Sequence, residues 1–334
     1  MLLIEEFVME KSFLERYQAG EHQAVYQDLV ALGPAVHDPQ YYADACAVAE
    51  AMMQRVRHNS MLLVERLRSL NYRFACEQDY KPEPFDVTKS IANMRAQMPP
   101  TLDMPLPEQF WQLLERFTIK THEQIDTAME QLKAELQAGQ SADQAQPAPP
   151  WQPYMPPQQS DIELLDQAAE RFGPIPPTVL ALYRFVGSLN LCGDHPKLSH
   201  YYDHTQGFVS DPLCFGIDPT DIEVYDDERE DMQDQYEQGD ESMAEELARP
   251  FMLSLSPDMS HKSNYSGGGP NGFELPQHGF DALISSDHWR DTMLIPYLRE
   301  CFAWGGFPEF RHNPEAATTA AEELAFLTKD LLEF

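Results

Sequence analysis

Residues 256–272 hold the densest mixture of reactive side chains in the chain: Ser256-Pro257-Asp258-Met259-Ser260-His261-Lys262-Ser263-Asn264-Tyr265-Ser266-Gly267-Gly268-Gly269-Pro270-Asn271-Gly272. Asp258, His261 and Lys262 offer an acid, a base and a cation, the types needed for proton transfer. Consecutive glycines let backbone amides approach an anion, to which Lys262 adds charge. The segment lacks the phosphate-loop signature, because no Lys-Ser/Thr follows the glycines, and no serine stands in G-x-S-x-G. The same composition suits a polar loop in which Asp258 and Asn264 bond to their own backbone. It is far longer than a hairpin needs, and long loops often carry binding. The partner-contact residues expected here are Asp258, His261, Lys262, Asn264 and Ser266. The alternative is an enzyme of unknown class that uses this loop.

Two further clusters stand out. Cys192, Asp194, His195, His200, Asp203 and His204 fall close together, with His200 and His204 four apart. On a helix that spacing would bring both imidazoles to one metal. Gly193 and Pro196 argue against a helix, and HExxH is absent because Tyr201 follows His200. The expectation is exposed loop histidines, with no metal and no cofactor. The other cluster is acidic: residues 218–246 hold 14 Asp and Glu against one base, Arg229. These acids do not alternate around a glycine as a calcium loop requires. They read as a solvated helix or loop. Asp226, Asp227, Glu228, Glu230 and Asp231 would face a basic protein, such as a toxin nuclease domain. Arg55, Arg57, Arg66, Arg68 and Arg73, opposed within their stretch only by Glu65, are expected to dock on the acidic lobe of the same molecule.

The charge of −32 is uneven: residues 1–140 carry 13 Lys and Arg against 21 acids, residues 141–334 carry 10 against 34. Such a balance repels nucleic acid and anionic membranes and attracts basic proteins. Hydrophobic residues at 43% still indicate a folded chain. The five cysteines are scattered without CxxC spacing, which implies neither a disulfide framework nor a zinc ribbon. The opening residues lack the basic start of a signal peptide, and no apolar run reaches 18 residues, so the cytoplasm is the expected location.

The elements that must position these groups change character along the chain. Up to about residue 138 the pattern is helical: Leu3 to Tyr17, His22 to Leu32, and a long helix opening at Asp38-Pro39. Tyr42, Cys46, Ala49, Met53, Val56, Leu63, Leu67 and Leu70 form its apolar stripe, interrupted at Ser60. Thr121 with Gln124 suggests a further capping box. Residues 139–159, rich in Pro and Gln, read as a linker, although Trp151 and Tyr154 suggest docking. Ser160 with Glu163 suggests a capping box opening the next domain. Gly173-Pro174 ends that helix, Pro176-Pro177 starts another, and Gly187 stops it. Strand alternation follows at Ile222/Val224, Phe251/Leu253/Leu255 and Phe273/Leu275. Helices then run from Thr292 to Phe302 and onward from Asn313-Pro314. Trp289, Trp304 and Phe307 beside Gly305-Gly306 indicate close packing.

The C-terminal part resembles the SUKH superfamily, which includes a fungal cell-wall-synthesis regulator and bacterial toxin-immunity proteins. The likeness lies in Glu170-Arg171-Phe172-Gly173-Pro174-Ile175-Pro176-Pro177, Leu182-Tyr183-Arg184-Phe185, Gly187-Ser188-Leu189-Asn190, Pro212-Leu213-Cys214-Phe215-Gly216-Ile217-Asp218, and Phe251 to Pro276. It covers about half the chain, on turn and core positions. It implies partner-protein binding without shared catalytic residues. The expected architecture is α+β: a helical region 1–138, a linker 139–159, and a SUKH-like domain 160–334 with helices on one face of an antiparallel sheet. The expected function is non-enzymatic binding of a basic protein.

Overall fold

A computed structural model describes residues 11–77 and 152–334, apart from 201, 204–206, 217–221, 223, 263–268, 287 and 290. The expected helix at Thr121, Trp151, and the loop residues Asn264 and Ser266 lie outside the described residues.

The longest described element is a 31-residue helix. α1 (Phe13–Gln18) opens at Ser12, where a full capping box forms with Glu15. α2 is His22–Ala31 and α3 is Pro39–Ser69. Proline occupies the first turn of α3, where its missing N–H costs nothing. Asp38 stands at the N-cap position, but its side chain makes no capping bond. Ala49, Met53, Val56, Leu63 and Leu67 are buried as the stripe requires. Ala45, Val48, Met52, Asn59 and Val64 are buried too, because α3 is packed on more than one side, by α1 and by later elements. Ser60 is the buried polar residue that interrupts the stripe. Its hydroxyl donates to Val56 O at 2.8 Å, which satisfies the buried polar group within the helix.

After β1 (Arg73–Phe74) the described chain resumes with β2 (Tyr154–Met155), an edge strand paired antiparallel to β3 (Ser188–Asn190). The end of the expected linker is thus part of a sheet. Gly187 permits the approach: its φ is +90°, and a Cβ there would lie 2.3 Å from Met155 O. Between these strands come α4 (Gln159–Phe172) and α5 (Pro177–Ala181), the latter running into a π-turn at Leu182–Val186. Both stop and start where Gly173 and Pro177 indicated. The capping box at Ser160 does not form; its hydroxyl bonds Asp161 instead, and the helix begins at Gln159.

The remaining strands are β4 (Gly193–Asp194), β5 (Tyr202–Asp203), β6 (Gly207–Phe208), β7 (Cys214–Phe215), β8 (Phe251–Ser256) and β9 (Asn271–Leu275). They pair antiparallel as β1–β4, β2–β3–β7, β5–β6 and β8–β9. The class is α+β, built from small sheets rather than one broad one; Gly216 N–H to Leu255 O at 3.0 Å joins two of them. Phe251, Leu253, Leu255, Phe273 and Leu275 are buried, as their alternation required. Ile222 and Val224 form no strand. Val224 is instead the N-cap of α6 (Tyr225–Glu237), which is followed by α7 (Met243–Ala248). α8 (Met259–Lys262), α9 (Leu294–Ala303), α10 (Pro314–Thr319) and α11 (Ala321–Thr328) are the remaining described α-helices.

The described residues 11–77 and 152–334 belong to one compact unit. One core joins Val25, Met52 and Leu63 with Val179, Leu253, Leu298 and Phe307, so α1–α3 and the later elements fold together. Phe307 and Trp289 are buried, and Gly305 and Gly306 abut Leu327 and Leu191 so closely that a Cβ would fall 2.7 and 2.6 Å from them.

The last residues are clamped to α3. Asn59, fully buried, accepts from Leu332 N–H and donates to Leu332 O, both at 2.9 Å. Asn59→Ala should therefore cost about 2 kcal/mol, since it strands two backbone groups. Denaturant unfolding checks this; a loss near zero would mean the segment's bonds are replaced by water.

Candidate functional site

The expected contact residues separate into two places. On α6, Asp226, Asp227, Glu228, Glu230 and Asp231 are all exposed, as are Asp234 and Glu237. Asp227, Glu230, Asp231 and Asp234 recur at spacings of three and four, which puts them on one helical face. Tyr225, Met232 and Tyr236 share the opposite face, and Tyr225 packs edge-on against Phe172 and Phe251. No residue of α6 is fully buried. Acids in its first turn suit the helix dipole, but Asp234 and Glu237 oppose it near the C-terminus. Like charges four apart, such as Asp227/Asp231 and Glu230/Asp234, each cost a few tenths, about 0.2–0.5 kcal/mol. Arg171 pairs with Asp226 while its guanidinium lies over the Phe172 and Tyr225 rings at 4.8 and 5.3 Å. Arg229 sits over Tyr225.

Four of the five arginines of the basic stretch bond elsewhere. Arg55 donates to Glu333 O and Arg66 to Leu327 O, both at 2.8 Å, while Arg68 pairs with Glu77 and Arg73 with Asp194. The expected docking of this basic stretch on the acidic lobe is overturned for these four. The physical reason is local: Arg66 answers a carbonyl in the last turn of α11, where helix carbonyls lack partners and negative potential collects.

The second place is α8 and its approaches. Asp258 is an N-cap: Oδ1 accepts from Ser260 N–H at 2.6 Å and His261 N–H at 3.1 Å, and Oδ2 pairs with the exposed His261 ring. These bonds outweigh the burial that would raise its pKa and leave the Asp258 carboxyl below the ordinary value. Lys262 is not on the loop surface. Its side chain is 1% exposed and Nζ lies 2.7 Å from Oδ1 of Asp211, which is equally buried. Lys262 therefore cannot touch a partner, and the expectation is corrected. One turn of helix faces His261 outward and Lys262 inward.

His200 secures the same contact. Its Nδ1 accepts from Asp211 N–H at 3.0 Å, so its proton resides on Nε2, 3.0 Å from Met259 O. Burial lowers its pKa and keeps the ring neutral, against the opposing pull of Met259 O. His200 is thus a latch between α8 and the segment before β7, not an exposed loop histidine. His204 lies outside the described residues. Among the described residues no group of three or more His, Cys, Asp or Glu is placed to hold a metal.

Three clefts of 440, 540 and 500 Å³ are lined by His22, Arg299 and Phe334; by Pro250, Leu275 and Asp291; and by Met61, Arg68 and Tyr154. Asp258, His261 and Lys262 line none of them. Sequence reasoning missed Asp211 and Asp281, both buried. The signal for Asp281 is an acid inside the apolar run Phe280-Asp281-Ala282-Leu283-Ile284; Asp211 had no such signal.

No protein-family model matches this chain, and no curated protein or solved structure does either. No described helix is long and apolar enough to cross a membrane.

Proposed function

We propose that this protein is a non-enzymatic binding module that meets a basic protein through the acidic face of α6. The single observation behind this reading is the exposed stripe Asp227–Glu230–Asp231–Asp234 on a helix with no fully buried residue. A helix whose own charges repel, and which adds little to the core, is explained by a partner that relieves the repulsion. The resemblance to SUKH-type immunity and regulatory proteins supports the same function class, with a toxin domain as one form of basic partner and the cytoplasm as its setting. The catalytic alternative lacks support, since Asp258 is engaged as a cap and Lys262 is buried against Asp211.

The test compares wild type with Asp227→Asn/Glu230→Gln/Asp231→Asn/Asp234→Asn. Stability should change by no more than about 0.5 kcal/mol, or rise, because these residues are exposed and mutually repulsive. Affinity capture followed by mass spectrometry should recover a basic protein with wild type at low salt. That protein should be lost with the variant and at high salt. Equal capture by both forms would rule out this face.

A further inference from the structure

The 440 Å³ cleft lies where the turn between α1 and α2, the C-terminal half of α9 and the residues after α11 converge. Its volume falls within the range of small-molecule sites, about 300–1,000 Å³. Phe302, Leu331 and Phe334 give it an apolar wall, and Arg299 is the one Lys or Arg among its lining residues. The guanidinium is held in a fixed plane. Nε donates to Phe334 O at 2.6 Å, Nη1 donates to Gln23 Oε1, and the Tyr26 ring centroid lies 4.9 Å away. Nη2 is buried, and among the described residues nothing accepts from it. The same is true of both ring nitrogens of His22 in the same cleft. The His22 ring centroid lies 4.6 Å from that of Tyr17, which is 1% exposed. Burial, aided by Arg55, lowers the His22 pKa, so the ring is neutral and carries one N–H. Buried polar groups left this way call for a partner.

Gln23 is the replaceable member of the arrangement. It is exposed, and holding its side chain on Arg299 costs rotamer entropy. A carboxylate oxygen in place of its amide oxygen makes a charge-assisted bond, roughly twice as strong as a neutral one. The second carboxylate oxygen then meets Nη2, the two-pronged geometry that a guanidinium favours. A phosphate dianion suits the cleft less. Glu333 stands exposed on its edge and repels a second negative charge, and most of the lining is apolar.

We propose that this cleft binds a small monocarboxylic acid with an apolar body. The carboxylate displaces the Gln23 amide and pairs with the Nη1–Nη2 edge of Arg299, beside the N–H of His22. The apolar body lies against Phe302, Leu331 and Phe334. The site shares no residue with the acidic face of α6, so it stands or falls separately from that reading.

Full-length wild type is titrated calorimetrically with phenylacetate, with phenylethanol and with inorganic phosphate. Phenylacetate should bind saturably at a single site. The alcohol, which keeps the apolar body and loses the charge, should bind at least about tenfold more weakly, the loss of one charge-assisted bond. Phosphate, which keeps charge and loses the apolar body, should also bind more weakly. Gln23→Ala should tighten phenylacetate binding, because no side chain has to be displaced. Ala303→Trp, at an exposed position on the lining, should fill the cleft and abolish binding while circular dichroism stays that of wild type. Absence of saturable binding by wild type would overturn the proposal. So would equal affinity for the alcohol or for phosphate, or wild-type affinity in Ala303→Trp. Weaker binding by Gln23→Ala would overturn the displacement, since the amide would then belong to the bound state.

Discussion

Asp281→Ala should lose roughly 3–5 kcal/mol of folding stability. Asp281 is 2% exposed and its carboxylate accepts four hydrogen bonds. Thr178 Oγ1 and Ala282 N–H reach Oδ1 at 2.8 and 3.0 Å; Tyr26 OH and Ile295 N–H reach Oδ2 at 2.8 and 3.1 Å. Those donors come from α2, α5, the first turn of α9 and the connecting segment, so one side chain ties four parts of the unit. Alanine leaves all four buried without partners. Asp281→Asn should be milder, because its oxygen keeps two bonds while its amide faces the Ile295 N–H.

The same carboxyl carries a pH signature. Burial pushes it from the ordinary 3.8 up to about 6, partly opposed by Thr178, Ile295, Tyr26 and Ala282. The folded state thus holds this proton more tightly than the unfolded chain. Its contribution is full below about pH 4 and is lost as pH rises through 6, an effect of up to about 3 kcal/mol. The stability of wild type relative to Asp281→Asn should fall between pH 4 and pH 7. Denaturant midpoints across that range test it, and a constant difference would show that Asp281 titrates alike in both states.

Lys262→Met should cost about 3–5 kcal/mol by leaving the Asp211 carboxylate buried without its cation. The second substitution is the informative one. Lys262→Met/Asp211→Leu should recover much of the loss, since two apolar groups carry no desolvation penalty. If the double variant is no better than the single, Asp211 matters through its backbone. Its φ of +45° and its N–H bond to His200 make that alternative concrete. Either result leaves the acidic face of α6 untouched, so binding through that face should survive in any variant that folds.

Local signals were legible wherever local physics decides. Proline at the first turn of α3, glycine after α4, the alternation Phe251–Leu255 and the acidic excess of residues 225–237 all became what their chemistry implied. Where a competing local bond was available, the signal failed: Ser160 turned to Asp161. Ile222 and Val224 alternate like a strand, yet the charges that follow form a helix and draw Val224 into its start. Among the site residues, Asp226 to Asp231 were legible because exposure follows from charge density. Asp258 and His261 share an end of α8 for the same local reason, a capping aspartate.

What the sequence determines by itself is the start of α3, the end of α4, the alternation of β8 and β9, the uneven charge and the polar character of the 256–272 segment, because these depend on neighbours a few residues apart. Only the tertiary structure decides that residues 13–69 share a core with residues 159–334, and that Lys262 turns from the loop toward Asp211. It also decides that Asp281 is held by α2, α5 and α9. Each of these joins residues far apart in the chain. A charge is stable in the interior only when a partner from another element arrives to answer it, and no spacing along one segment records that arrival.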